Sequence, residues 1–187
     1  MANRLEDLNG ELSAAFPENR LVFGEGRPGV SLMLIGEAPG ENEEAQGRPF
    51  VGKAGKNLDE FLRLSGIDRT EVYITNAVKF RPFKIGKSGR KSNRPPTREE
   101  IDMFRPFLVR EIGMVRPKYA VTLGNVPLYA VTGEKLSIGA CHGQELPLGT
   151  LKLYPMYHPA SVIYNQKLRE VYIEDVMKLG ELLRAHD

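Results

Sequence analysis

Leu5, Leu8, Leu12 and Phe16 recur at helical spacing, which predicts an amphipathic helix over about residues 3–16 that ends near Pro17. A different rhythm follows. The run from Ser31 to Gly36 is short, almost wholly apolar and closed by glycine, the pattern of a strand buried on both faces of a parallel sheet. Similar runs at Val72 to Thr75, Tyr119 to Leu123 and Leu151 to Tyr157 alternate with helical patterns at Gly55 to Leu64, Thr97 to Val115, Val126 to Val131 and Leu168 to Leu183. In the last of these, Leu168, Tyr172, Val176, Leu179 and Leu183 make one apolar stripe. Thr97 and Glu100 have the spacing of a capping box, and Pro106 is expected to kink or divide the helix they open. The alternation implies an α/β chain, a three-layer α/β/α sandwich around a central sheet of about four parallel strands. Ligands of such sheets bind beyond the carboxyl ends of the strands, so chemistry is expected in the loops after Ile35, Thr75, Leu123 and Tyr157.

Composition narrows the picture. With 187 residues and 41% hydrophobic content, the chain can bury one core, so a single domain over residues 1–187 is expected, its core at about 31–183. The lone cysteine, Cys141, excludes an intramolecular disulfide and any site built from several thiolates of this chain, and fits a reducing cytoplasm. No stretch approaches the roughly 20 apolar residues of a membrane span and the first residues do not read as a leader, so a soluble, cytoplasmic monomer is expected. The histidines His142, His158 and His186 lack metal-ligand spacing, and neither a dinucleotide fingerprint nor a complete phosphate loop is found. No metal and no cofactor are expected.

The net charge of +2 conceals an asymmetry, because Lys79 to Arg98 holds eight basic residues and no acidic one. A basic loop with Gly and Ser between its charges can follow a phosphate backbone, with Lys84, Lys87, Arg90 and Lys91 as its contacts; a merely solvated loop is an equally open reading.

Three strand-end loops gather polar chemistry. Gly36 to Gly55 reads GEAPGENEEAQGRPFVGKAG, a glycine-rich connection with two prolines and four glutamates whose N–H groups could wrap a planar or anionic ligand. Glu41, Glu43 and Glu44 there invite a metal reading. Asn76 sits at the end of the second strand, where a carboxamide offers both donor and acceptor, although asparagine is also a common turn residue. His158 precedes a proline at the end of the fourth strand and is suited to stabilising a developing anion. Cys141 and His142 stand together without a third group that assigns them a role.

The segments GEAPG, GRPFVGKAG, TNAVKFRP, VRPKYAVTLG and YHPAS, in this order, resemble family 4 uracil-DNA glycosylases over roughly residues 31–183. The resemblance implies an enzyme that hydrolyses the N-glycosidic bond of uracil in DNA after flipping the base, and so starts base excision repair. It implies that Phe50 stacks on the extruded base, Asn76 reads its edge and Gly36 and Ala38 line the pocket. It further implies that His158 supports the departing uracil anion, while Glu37, with Glu43 less directly, organises sugar, water and loop. Pro159 to Ile163 would enter the duplex, with Ser161 beside DNA and Val162 at the wedge position, where the family more often has leucine. The alternative is a DNA-binding module of the same superfamily, related to accessory domains of phage-type DNA polymerases. Family 4 enzymes typically hold an iron-sulfur cluster on four cysteines; Phe80 and Phe104 stand at two of those positions here, which predicts no cluster and a hydrophobic substitute.

Overall fold

The computed structural model describes residues 4–162 and 165–185. The first helix, α1 (Leu5–Ala15), buries Leu8 and Leu12 as its spacing requires. Strands β1 (Leu32–Gly36), β2 (Val72–Asn76), β5 (Tyr119–Leu123) and β7 (Leu151–Met156) lie parallel in the order β2-β1-β5-β7. A fifth strand, β6 (Leu146–Leu148), pairs antiparallel with β7 and extends the expected sheet by one. Its LPL sequence carries too short an apolar run to stand out, and the proline suits an edge.

Strand alternation splits the core in two. Met33, Ile35, Tyr73 and Leu153 face α1, α4 (Arg98–Val115), α5 (Asn125–Thr132) and α6 (Ile138–Cys141). Leu32, Leu34, Val72, Ile74, Val121 and Tyr154 face α3 (Gly52–Ser65), α7 (Pro159–Val162) and α8 (Gln166–Arg184). These are the three layers, and both sheet faces are covered, which is why the strands read as continuous apolar runs.

The structure refines three expectations. Pro106 neither divides nor ends α4, which runs unbroken from its Thr97–Glu100 capping box to Val115. Pro106 lies on the exposed face, where the carbonyl it leaves without an amide partner can meet water. The long connection after β1 is not irregular throughout, since it holds a short helix, α2 (Glu41–Gln46), and ends in α3 three residues earlier than its pattern suggests. The basic segment is a β-hairpin of β3 (Phe83–Ile85) and β4 (Lys91–Asn93), paired antiparallel. No helix among the described residues is long and apolar enough to cross a membrane.

Candidate active site

The parallel register sets Gly36 directly beside Asn76 at the carboxyl edge of the sheet. Asn76 is buried, and a methyl group on Gly36 would overlap its Oδ1 and the Phe50 ring, so glycine there is what lets carboxamide and ring meet. Phe50 holds a left-handed backbone, φ 51°, unusual for an aromatic residue. Gly55 makes room for its carbonyl, and Arg69 donates to that same oxygen at 3.4 Å. Strain of this kind persists only where the surroundings hold it.

Glu43 supplies much of that hold. Its two carboxylate oxygens accept from the N–H of Gly40 at 3.2 Å and of Val51 at 3.1 Å, which ties the start of α2 to the start of α3. Glu43 is therefore a loop-organising group with both oxygens engaged. Glu41 and Glu44 both reach Arg81, at 3.5 and 3.3 Å, while Glu43 faces backbone amides, so each of the three glutamates already has a partner within the protein. Among the described residues no three His, Cys, Asp or Glu side chains gather as metal ligands would.

Around Phe50 and Asn76 opens a cavity of about 510 Å³ whose walls include Glu37, Ala38, Asn93 and His158. A narrower groove shares Glu37, Ala38, Asn93 and His158 and continues between the loop after β1 and the hairpin, past Pro82 and Arg94. His158 Nδ1 accepts from the N–H of Ala160 at 3.1 Å, which leaves Nε2 to carry the proton of the neutral ring. Burial lowers the pKa of His158, favouring that neutral form. Burial pushes the Glu37 carboxyl the other way, above its usual range. A buried carboxamide, an aromatic ring, a neutral imidazole N–H donor and a proton-avid carboxylate thus share one cavity.

Other sequence expectations fare differently. Lys84, Lys87, Arg90 and Lys91 are exposed on the hairpin, with the Lys91 ammonium 4.2 Å from the Phe83 ring centre. Ser161 is exposed, but its hydroxyl donates back to the His158 carbonyl at 2.7 Å. Val162 does not project from the surface: it is buried against the core under α8, because its short apolar side chain completes the last turn of α7. Ile163, named with it, lies outside the described residues. Cys141 and His142 stand apart from the cavity. The thiol donates to the Ser137 carbonyl at 3.2 Å and burial raises its pKa, while His142 pairs with Asp175 at 2.7 Å.

Three residues at the site or behind it escape a sequence reading. Asn93 lines the cavity from β4, and Arg81, buried, donates through Nε to its Oδ1 at 2.7 Å, which leaves the Asn93 amide N–H donors turned elsewhere. Lys79 is buried in an ion pair with Glu111 at 2.6 Å. Arg81 and Lys79 count among the basic cluster by sequence, yet neither ammonium nor guanidinium is turned to solvent. The signal was present in their neighbours, since both are interleaved with Val78, Phe80 and Pro82.

The residues present do not fit an iron-sulfur cluster. Phe104 is fully buried, stacks on Phe16 at 4.3 Å and packs against Phe80 at 5.6 Å, while the chain's one thiol lies elsewhere.

The arrangement has relatives. The chain is 39% identical over 170 residues to the type-4 uracil-DNA glycosylase of Sulfurisphaera tokodaii, an alignment covering 86% of this chain and 74% of that protein. It is 39% identical over 168 residues to the type-4 uracil-DNA glycosylase of Thermotoga maritima, covering 88% and 83%. The fold is shared with the crystal structure of wild-type Pedobacter heparinus SMUG2 at a TM-score of 0.57 and 13% identity, over 86% of this chain and 77% of that one. The family model that matches residues 23–179 spans every element lining the cavity, and by that match the chain belongs to the uracil DNA glycosylase superfamily.

Proposed function

We propose that this protein turns a uracil nucleotide out of DNA and hydrolyses its N-glycosidic bond, leaving an abasic site and opening base excision repair of deaminated cytosine. The observation that carries this reading is the convergence of Phe50, Asn76, His158 and Glu37 on one cavity at the sheet's carboxyl edge. Extrusion costs a few kcal/mol, roughly, and is offset by phosphate contacts and by what the pocket offers the base. Lys84, Lys87, Arg90 and Lys91 supply the phosphate contacts from the exposed hairpin. Phe50 stacks on the base; Asn76 gives its edge a donor and an acceptor, with Gly36 and Ala38 keeping the approach open.

As the N1–C1′ bond breaks, its electron pair leaves with the base and positive character builds on the sugar. The Nε2–H of neutral His158 donates to the base oxygen where charge accumulates. Glu37 takes a proton from the water whose oxygen bonds to C1′, a role that its raised pKa suits. Glu43 and Ser161 act at one remove, by holding the loop and the His158 carbonyl. Lys79 is bound up in its ion pair and Lys53, the lysine on the cavity wall, is exposed; water is the nucleophile in this reading, and strand cleavage is not expected. The chemistry calls on no cofactor, and the Phe16–Phe104–Phe80 packing links the segment leading into the hairpin to α4. With Val162 buried, it offers no wedge, so duplex penetration is weak and single strands are the better substrate.

The test is excision from a labelled single strand carrying one uracil, with EDTA present and alkali used to reveal abasic sites. Cleavage is expected, with a loss of about 100-fold or more in Asn76→Ala and in His158→Ala. DNA binding without release of any deaminated base would replace the enzyme by a binding module.

A further inference from the structure

Behind Asn76 lies a closed polar network that neither the cavity nor the hairpin accounts for. Lys79 Nζ meets Glu111 Oε2 at 2.6 Å, and their side chains are only 2% and 3% exposed. Glu111, reaching down from α4, also accepts from the Tyr73 hydroxyl at 2.9 Å and the Thr75 hydroxyl at 3.2 Å. Lys79 bonds to Thr75 Oγ1 and to the backbone carbonyl of Asn76 at 2.9 Å, so its three N–H donors are all engaged inside the protein. On the other side of the same peptide, the N–H of Ala77 donates to the carbonyl of Gly36 at 2.8 Å. A charge-assisted bond to one end of a peptide strengthens the bond at its other end. A buried ion pair is a poor device for stability alone, since apolar residues of similar volume serve as well or better. This one is built where the two strands that carry Gly36 and Asn76 end side by side.

We propose that Lys79, oriented by Glu111, is a positioning residue for Asn76: it fixes the Asn76–Ala77 peptide against Gly36 and so sets the angle at which the carboxamide meets the base. The proposal rests on the reading of Asn76 as the base-recognising residue. Lys79 does not line the cavity and touches no substrate. Tyr73 and Thr75 lie on the face of β2 away from Ile74, so the network acts on the strand end from behind.

The variant Lys79→Met/Glu111→Gln removes both charges together and keeps an acceptor for Tyr73 and Thr75. Single-turnover excision and affinity for an uncleavable strand are measured for this variant, for Asn76→Ala and for the combination. The paired change is expected to lower the maximal rate by about 10- to 100-fold. It leaves DNA affinity in place and costs nothing further in the Asn76→Ala background. That non-additivity is what a merely structural role would not give. A wild-type rate in the paired variant beside a defective Asn76→Ala, or equal losses in both backgrounds, overturns the positioning role and leaves Asn76 as the base reader. A fully active Asn76→Ala overturns the reading of Asn76 and the proposal with it. If the paired variant does not fold, the wild-type protein decides: the Lys79 ammonium should exchange slowly with solvent and show a scalar coupling across the hydrogen bond to the Asn76 carbonyl carbon. A fast-exchanging, uncoupled ammonium overturns it.

Discussion

Glu37 and His158 share a wall of the cavity and are moved in opposite directions by the same burial, the carboxyl upward and the imidazole downward. Across the neutral range His158 is then already a neutral donor, and the acid limb of activity belongs to Glu37. kcat/KM is expected to fall with acid through an apparent pKa above the ordinary carboxylate value, and Glu37→Gln to lose that limb together with most of the rate. Stability carries a matching sign. A carboxyl whose pKa is raised by folding contributes stability below its unfolded pKa and loses it as pH rises through the folded one. Glu37→Gln should therefore melt above wild type at pH 7, with the gap closing near pH 4; a variant that melts lower at pH 7 would mean that the carboxylate has a partner in the fold. Gly36 gives the complementary case. Gly36→Ala forces a methyl group onto Asn76 Oδ1 and the Phe50 ring, so excision is expected to drop by about 100-fold or more while DNA affinity holds. An alanine variant at the wild-type rate would show that the ring and the amide need not meet.

At the scale of elements, the site hangs on one hairpin and one short helix joined by Arg81. Its guanidinium reaches Glu41 and Glu44 on α2 and Asn93 on β4, so the hairpin proposed to meet DNA is tied to the loop that shapes the pocket. The hairpin's exposed charges should act through phosphates alone. Replacing Lys84, Lys87, Arg90 and Lys91 with alanine is expected to flatten the dependence of log Kobs on log salt for single strands by about 3 units, since each phosphate contact contributes roughly 0.7. An unchanged slope would move DNA to another face. These short elements are also where sequence reading ran out. The parallel strands were legible because burial on both faces leaves continuous apolar runs, and Asn76 and His158 because they follow such runs directly. β3, β4 and β6 have three residues each, too few for a period to register, and α2 is a single polar stretch whose signal is its Gly40 and Gly47 flanks. Lys79 and Arg81 misled for a related reason: a buried cation and a solvated one are the same letter, and beyond their apolar neighbours what distinguishes them is partners far along the chain, Glu111 for Lys79 and Glu41 and Glu44 for Arg81.

For the whole molecule, the question is what fastens the N-terminal helix and the segment leading into the hairpin to α4 on one face of the sheet. Phe16 leaves α1 and stacks on Phe104; Phe104 in turn meets Phe80, the residue that leads into the hairpin; and Arg110 of α4 pairs with Glu11 of α1 at the surface. The ion pair is exposed and contributes little, so the aromatic contacts carry the joint. Phe104, fully buried between the other two rings, is its centre. Phe104→Ala removes the shared ring and opens a cavity at the place where three segments meet, which should destabilise the fold by about 3–5 kcal/mol. In a chain of this size that is a fall in melting midpoint of roughly 6–20 °C. Because the rings lie on the opposite face of the sheet from α3 and α8 and away from the cavity wall, the folded fraction should excise uracil at the wild-type rate at low temperature. Phe104→Leu, which keeps most of the volume, should recover most of the midpoint. If Phe104→Ala melts within a degree or two of wild type, the aromatic joint is not what holds these segments; if its midpoint falls and is restored by leucine, apolar packing around position 104 is what fastens the three segments together.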